Sequence, residues 1–172
     1  MTIRRINHVV MSVRDLDLST RFYRDVVGLE VVSRLPATAH WPAMALLRSA
    51  PASSIRHDLG LIANTGPGAV VGRGPYHVAF EVDTIADLRR AHRRLAAVDA
   101  LGSGMDQDLR FSVHGHDPDG IMVEILWRAP VGVRSHPDEP SCMSVDFDRP
   151  RPHPRQHLHG RPTTDRVVGA PA

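Results

Sequence analysis

The chain contains no lysine, one cysteine and few aromatic residues. All 21 basic residues are arginine, and the acidic residues spread among them leave a net charge of only +2. A surface that follows nucleic-acid phosphates needs a concentrated basic stripe, so we expect no nucleic-acid partner. The lone Cys142 excludes an internal disulfide, and its distance from the motifs described below argues against a catalytic thiol.

The chain also lacks a long apolar run. No stretch approaches the roughly 18 apolar residues of a membrane-spanning helix. The first five residues lead directly into a strand pattern and do not form the apolar core of a signal peptide. We therefore expect no membrane partner and a cytoplasmic location. With 172 residues, of which 42% are hydrophobic, the chain is long enough for one domain with a substantial core.

A strand pattern that begins near a histidine occurs twice. Residues 6–13 alternate around His8, and residues 75–82 repeat the pattern around His77, 69 positions later. A period-2 alternation of this kind is typical of a strand with one buried face. The repetition indicates a duplicated structural unit.

Each strand pattern is followed by a helical pattern, over residues 15–27 and 84–97, and then by β-rich segments. The predicted fold is therefore α+β. Two βαβββ modules, about residues 3–64 and 74–128, are expected to form an open, mixed-sheet barrel around a central cavity. Together they make up one domain over residues 1–130.

The composition changes after residue 130. Residues 131–172 hold half of the chain's 14 prolines and show little apolar periodicity. A segment with this composition cannot bury enough apolar surface to offset the entropy of ordering it. We predict a disordered tail.

Two histidines and a glutamate are candidate metal ligands. On the last strand of the second module, alternation places Val123 and Ile125 under the helix and turns Glu124 to the cavity. A carboxylate there needs a cation or a hydrogen-bond donor. His8 and His77 occupy the same position of the repeat, on the matching face. Two histidines and one carboxylate suit Fe(II), and Mn²⁺, Co²⁺ or Zn²⁺ could also bind.

Each of these residues also has a simpler explanation. A strand histidine is more often a hydrogen-bonded core residue than a ligand. Glu124 could form an ion pair with Arg110 or Arg128. The recurrence of the histidine at one position of both modules favours the metal site over these alternatives.

Several segments of the chain resemble the vicinal oxygen chelate superfamily, namely residues 8–17, 22–23, 27–32 and the Asp-Pro-Asp-Gly-x-x-x-Glu ending at 117–124. This superfamily includes glyoxalase I, bleomycin and fosfomycin resistance proteins, methylmalonyl-CoA epimerase and the extradiol dioxygenases. The resemblance covers about residues 3–128. It implies an open barrel of two βαβββ modules around a metal, a small-molecule substrate and a homodimer.

The resemblance is greatest to small members named catechol 2,3-dioxygenase-like. Glyoxalase-type members carry a second metal carboxylate on the last strand of the first module, and alignment puts Gly60 there. The remaining set resembles that of the extradiol dioxygenases. Two positions depart from the dioxygenase pattern, because His114 replaces an expected tyrosine and Gln107 lies near an expected histidine. His114 is the candidate proton carrier, since an imidazole titrates near neutrality. His116, beside the turn, is less suitable.

Three functions follow as hypotheses. In the first, Fe(II) bound by His8, His77 and Glu124 supports an extradiol-type dioxygenase that cleaves a small aromatic or vicinal-oxygen substrate. The second is a metal-dependent lyase or isomerase of the glyoxalase or epimerase type, which acts without O₂. The third is a resistance protein that binds an antibiotic or another small molecule without turnover. If the subunits of a homodimer exchange modules, His8 and Glu124 could come from different chains.

Overall fold

The computed structural model describes residues 6–49, 56–64, 75–106, 110–128 and 143–144. The α+β class and the two βαβββ modules are confirmed, with one helical segment and one mixed sheet in each module. Within the described part of the chain, the two sheets remain separate and do not close into a barrel.

The first module forms a four-stranded sheet in the order β1-β4-β3-β2. Strands β1 and β4 are parallel, and the other neighbours are antiparallel. Its elements are β1 (Val9–Val13), α1 (Leu16–Arg21), a π-helical turn (Phe22–Val27), β2 (Glu30–Leu35), β3 (Met44–Arg48) and β4 (Leu59–Ala63).

The second module repeats this plan in the order β5-β8-β7-β6-β9. Strands β5 and β8 are parallel, as β1 and β4 are in the first module. The predicted tail lies outside the described residues, except for a two-residue strand that pairs with β6. The elements are β5 (His77–Glu81), α2 (Ile85–Ala97), β6 (Leu101–Asp106), β7 (Arg110–His116), β8 (Met122–Arg128) and β9 (Met143–Ser144).

Both helical segments begin at a capping residue. The Asp15 carboxylate accepts a hydrogen bond from the Leu18 backbone N–H at 2.8 Å, and Thr84 caps α2 in the same way. The first helix ends at Gly28, which has a φ of 101°, a conformation that glycine adopts without strain. Its last turn is wider than predicted, because the Gly28 N–H donates to the carbonyl of Tyr23, five residues earlier.

One hydrophobic core joins the two modules. Met11 and Val13 of β1 and Val123 and Ile125 of β8 all lie in it, so the predicted parity of both strands is confirmed. Helix α2 contacts the π-helical turn of the first module as well as its own sheet. The helical segments therefore cover one face of each sheet and share a core. Among the described residues, no helix is long and apolar enough to cross a membrane.

The Asp-Pro-Asp-Gly turn of the second module forms hydrogen bonds with the first module. One oxygen of Asp117 accepts from the backbone N–H groups of Asp119 and Ile121, and the other accepts from the Tyr23 hydroxyl at 2.9 Å. Arg14 donates to Asp119 at 2.8 Å. Burial, reinforced by the Asp117 charge, raises the pKa of Tyr23 well above its usual value. The phenol therefore stays protonated and remains a donor.

Candidate metal centre and active site

Glu124 lies at the centre of a polar cluster on the helix-free face of the second sheet. Its cross-strand partners are Ala79 on β5 and His114 on β7. Its side chain is 4% exposed. His77 Nε2 is 3.6 Å from Oε2, while Arg110 Nη2 and His114 Nε2 are 3.5 and 3.7 Å from Oε1. Oε1 has no hydrogen-bond partner in the part of the chain that the structure describes. All three distances exceed normal hydrogen-bond lengths, so this buried carboxylate lacks the direct donor that its burial calls for.

The cluster opens to solvent on one side. The side chains of His77 and Arg110 are 41% and 37% exposed, whereas that of His114 is 14% exposed. His114 Nδ1 and Ser112 Oγ, on the same face of β7, are buried and have no hydrogen-bond partner among the described residues. Polar atoms left in this state are unusual inside a protein and often mark a site for water, an ion or a ligand. The arrangement can receive a cation at the carboxylate and a small molecule from the exposed side.

His8 does not join this cluster within one chain. It precedes β1, its ring lies against His57 with the centroids 4.6 Å apart, and its Nδ1 is 2.8 Å from Asn7 Oδ1. Across the described residues, no group of three His, Cys, Asp or Glu side chains is placed to hold a metal ion. The structure thus brings Glu124 to His77 and His8 to His57. The predicted triad stays a prediction.

His57 is the residue that sequence reasoning missed. It directly precedes the β4 region, where the Asp58 carbonyl accepts from the Val9 backbone N–H at 3.0 Å, and this pairing brings it beside His8. Its Nδ1 is buried and has no hydrogen-bond partner within the described ranges. Burial, with the positive neighbours His8 and Arg56, lowers the pKa of His57 below its usual value. The ring is therefore neutral near pH 7. The available sequence signal was its position just before a strand parallel to β1.

Strand register supports the equivalence of Gly60 and Glu124. In the first module Val10 pairs with Gly60, and in the second Ala79 pairs with Glu124. A Cβ atom at Gly60 would lie 3.2 Å from Cγ2 of Val10, a tight contact. The valine therefore takes the space that the smaller Ala79 leaves open beside Glu124. The first module lacks the carboxylate, and a side chain at Gly60 would be in tight contact with Val10.

A second concavity lies away from these residues. A groove of about 560 Å³ runs between the π-helical turn and the turn that joins α2 to β6, and its lining includes Phe22, Val98 and His116. His116 is exposed. The groove contains none of His8, His77, Glu124 or His114. Gln107 lies outside the described residues.

The fold and the polar cluster define a protein of two βαβββ modules with imidazoles and a carboxylate on the helix-free sheet faces. The model of the Glyoxalase/Bleomycin resistance protein/Dioxygenase superfamily matches residues 5–125. The chain belongs to this superfamily, and the predicted resemblance is confirmed at that level.

Two kinds of enzyme occur among the relatives. The mitochondrial methylmalonyl-CoA epimerase of Bos taurus is 30% identical over 129 residues, which cover 70% of this chain and 73% of that protein. The Mus musculus epimerase is 28% identical over 133 residues, 70% of this chain and 71% of that protein. The metallothiol transferase FosB of Lysinibacillus sphaericus (strain C3-41) is 25% identical, covering 72% of this chain and 82% of that protein.

Solved structures share the fold. A glyoxylase/bleomycin resistance protein/dioxygenase domain from Frankia sp. EAN1pec superimposes with a TM-score of 0.62 at 22% identity, covering 76% of this chain and 96% of that one. A mutant of the fosfomycin resistance protein FosX from Listeria monocytogenes, complexed with Mn(II) and 1S,2S-dihydroxypropylphosphonic acid, gives 0.57 at 15% identity, with coverages of 76% and 96%.

These relatives narrow the functional class. Superfamily members are mostly enzymes that act on small molecules with a divalent metal, which agrees with the coarse prediction. The relatives reported above are named as epimerases and a thiol transferase. They lend no support to the finer prediction of a dioxygenase, which stays a prediction.

Proposed function

We propose that this protein is a divalent-metal enzyme that moves a proton at a carbon beside a carbonyl group. The substrate is a small molecule with two vicinal oxygens, and the reaction is of the lyase or isomerase type. The observation that carries the proposal is Glu124, a buried carboxylate with an unbonded oxygen, close to two imidazoles. A cation there would satisfy the carboxylate, and imidazoles carry protons near neutral pH.

His8, His77 and Glu124 would hold the metal. Two imidazole nitrogens and one carboxylate oxygen suit Fe(II), Mn²⁺, Co²⁺ and Zn²⁺. When bound, the metal supplies a Lewis acid that chelates the two substrate oxygens and acidifies the neighbouring C–H bond. The Oε1 atom of Glu124 supports this donor set, because a buried carboxylate needs a cation or a donor in direct contact, and the Arg110 guanidinium at 3.5 Å is too distant for a hydrogen bond.

The two halves of this site would come from two copies of the chain. His8 lies apart from Glu124 within one chain, and the described residues contain no three-residue metal group. The helix-free face of the first sheet is incompletely covered, since Val10 beside Gly60 is 46% exposed. A second copy packed on this face would bury that surface and could bring His8 to the partner's Glu124. Members of the superfamily often form dimers, which also supports a homodimer.

His57 and His114 would transfer the proton. Among the described residues, each imidazole has a buried nitrogen without a hydrogen-bond partner, and the lowered pKa of His57 keeps that ring neutral and able to accept a proton. They belong to different modules, so one can remove a proton from the substrate and the other can return it. A two-base epimerisation uses two such groups.

Solvent deuterium exchange tests the proposal. The full-length protein is loaded with Co²⁺ or Mn²⁺, its metal content is measured, and it is offered methylmalonyl-CoA or lactoylglutathione in D₂O. We expect metal-dependent deuterium incorporation at a substrate carbon, lost in His57→Gln and His114→Gln and retained in His40→Gln, a control at an exposed loop histidine. Stoichiometric metal without any exchange contradicts proton transfer. Tight substrate capture without turnover would instead identify a binding protein.

Extradiol ring cleavage is a second candidate because of Gly60. Without a carboxylate at this position, a three-residue donor set leaves room for both a bidentate substrate and O₂. Oxygen uptake by the Fe(II)-loaded protein with catechols would favour this candidate. Its absence, together with deuterium exchange, would favour the first.

A further inference from the structure

Arg110 has no role in the proton transfer proposed above. It lies on β7, two residues before Ser112 and four before His114, so the three side chains share one face of the strand. Glu124 lies opposite His114 on the same face. The Arg110 guanidinium therefore lies beside the candidate metal ligand Glu124, on the same strand face as the buried Ser112 hydroxyl and the His114 imidazole.

The contact between Arg110 and Glu124 is loose. Nη2 lies 3.5 Å from Oε1, and Arg110 has no other partner among the described residues. A guanidinium carries five N–H donors in a planar fork. Among the described residues, most of these donors have no partner, and the side chain is 37% exposed. Arg110 is placed to bind something that enters from the open side of the cluster.

The charge of the site indicates what that ligand is. Glu124 contributes one negative charge, Arg110 one positive charge and a divalent metal two positive charges, which leaves two positive charges in a partly buried space. Such an arrangement is unfavourable unless an anion is bound there. A substrate with one negatively charged chelating oxygen and a separate carboxylate would neutralise it. This step rests on the proposed function, because the sum includes the metal.

We propose that Arg110 binds a substrate carboxylate that is not used in metal chelation. The substrate class is then a small acid with vicinal oxygens and at least one further carboxylate. Arginine suits this role because its planar fork donates two parallel hydrogen bonds to a carboxylate. Arg110 would determine which of the chelating molecules the site accepts.

Two small acids that differ by one carboxylate test this role. Glycolate chelates a metal through its hydroxyl and its carboxylate. Hydroxymalonate can chelate in the same way and has a second carboxylate that the chelate does not use. Titration calorimetry on the Mn²⁺-loaded protein should show about tenfold tighter binding of hydroxymalonate, as expected for one charge-assisted contact near the surface. Arg110→Gln should abolish this preference and leave the glycolate affinity within about twofold, whereas Arg110→Lys should keep part of it.

Arg128→Gln is the matched control. Arg128 is the cross-strand partner of Arg110, but it lies 3.6 Å from Glu81 and its side chain is 64% exposed. It should keep the full preference. A preference that survives in Arg110→Gln overturns the inference. Equal weakening of both ligands, or loss of metal from that variant, also overturns it, because Arg110 would then support the fold or the metal.

Metal content separates this inference from the proposed function. If the wild type binds no metal, the proposed function fails, and the same titrations in the metal-free protein decide the role of Arg110. Hydroxymalonate binding that requires Arg110 then supports the inference. Binding that is the same in wild type and Arg110→Gln overturns it.

Discussion

The two modules share a fold and differ in what their helix-free faces carry. Each places a parallel strand pair beside its first histidine and covers the opposite face with a helical segment. The second module sets Glu124 among His77, His114 and Arg110, whereas the first places His57 beside His8. Duplication thus preserved the backbone positions, while the side chains at those positions diverged to give two unequal half-sites.

The difference extends to the neighbours of the ligand position. Val10 pairs with Gly60 in one module and Ala79 pairs with Glu124 in the other, so a large residue faces a small one in both. The larger residue of the pair lies on β1 in the first module and on β8 in the second. Since a strand pair offers limited space between neighbouring side chains, we expect a carboxylate at this position to favour a small partner on the parallel strand. Four predictions test or refine this contrast, beginning with the largest expected effect.

Glu124→Gln should remove the metal-binding capacity of the protein. The change keeps the volume of the side chain and removes its charge, so the metal affinity should fall by more than about tenfold. Glu81→Gln, at an exposed carboxylate on a neighbouring strand, should retain the metal. Metal analysis after dialysis measures both. Equal metal contents in the two variants would place the binding site elsewhere in the chain.

Leu61→Ala and Ile125→Ala should destabilise the protein to a similar degree. These residues follow Gly60 and Glu124 in the two modules, and both are buried in the common core. Truncation of a large buried side chain costs about 2–5 kcal/mol. Denaturant unfolding should show one transition, shifted in both variants. Two separate transitions would mean that the modules unfold independently, contrary to the shared core.

Gly60→Glu should destabilise the protein, and adding Val10→Ala should recover much of the loss. The single change sets a Cβ atom 3.2 Å from Val10 Cγ2, and overpacking of this kind costs about 1–3 kcal/mol. The smaller alanine recreates the pair that the second module uses. Thermal unfolding measures both variants. If the double variant recovers no stability, the difference in residue size at these positions between the two modules does not affect the free energy of unfolding.

His57→Gln should slightly reduce the loss of folding stability that occurs at acidic pH. Because the pKa of His57 is lowered in the fold, the unfolded chain binds more protons below about pH 6.5, and stability falls as the pH falls through that range. The variant should lose this slope, a difference of less than one proton. Denaturant unfolding at pH 5 to 7.5 measures it. An unchanged slope would mean that His57 titrates normally.

Local patterns predicted most of the fold. Alternation placed Val123 and Ile125 in the core and Glu124 on the other face, and Gly28 marked the end of the first helix. These features depend on neighbours along the chain, which a sequence displays directly. The π-helical last turn was not predicted, because its hydrogen bonds to the Tyr23 carbonyl leave no distinct pattern in the sequence.

The candidate site was predictable only in part. The repeated strand pattern identified His8 and His77, and the alternation of buried residues identified Glu124. Neither pattern gives the distance between residues of different modules. His57 escaped notice because its contact with His8 arises from the parallel pairing of two strands separated by most of the first module. Arg110 was considered only as an ion-pair partner, since its open donors become visible only in three dimensions.

By itself the sequence determined the two modules, their buried faces and the residue types that can bind a metal, because periodicity and composition act over short distances along the chain. Tertiary structure alone decided which of those residues meet. Packing joined Glu124 to His77, His114 and Arg110, and left His8 beside His57. The physical reason is that contacts between distant segments depend on how the sheets and helices bury their common core, and no local pattern records that arrangement.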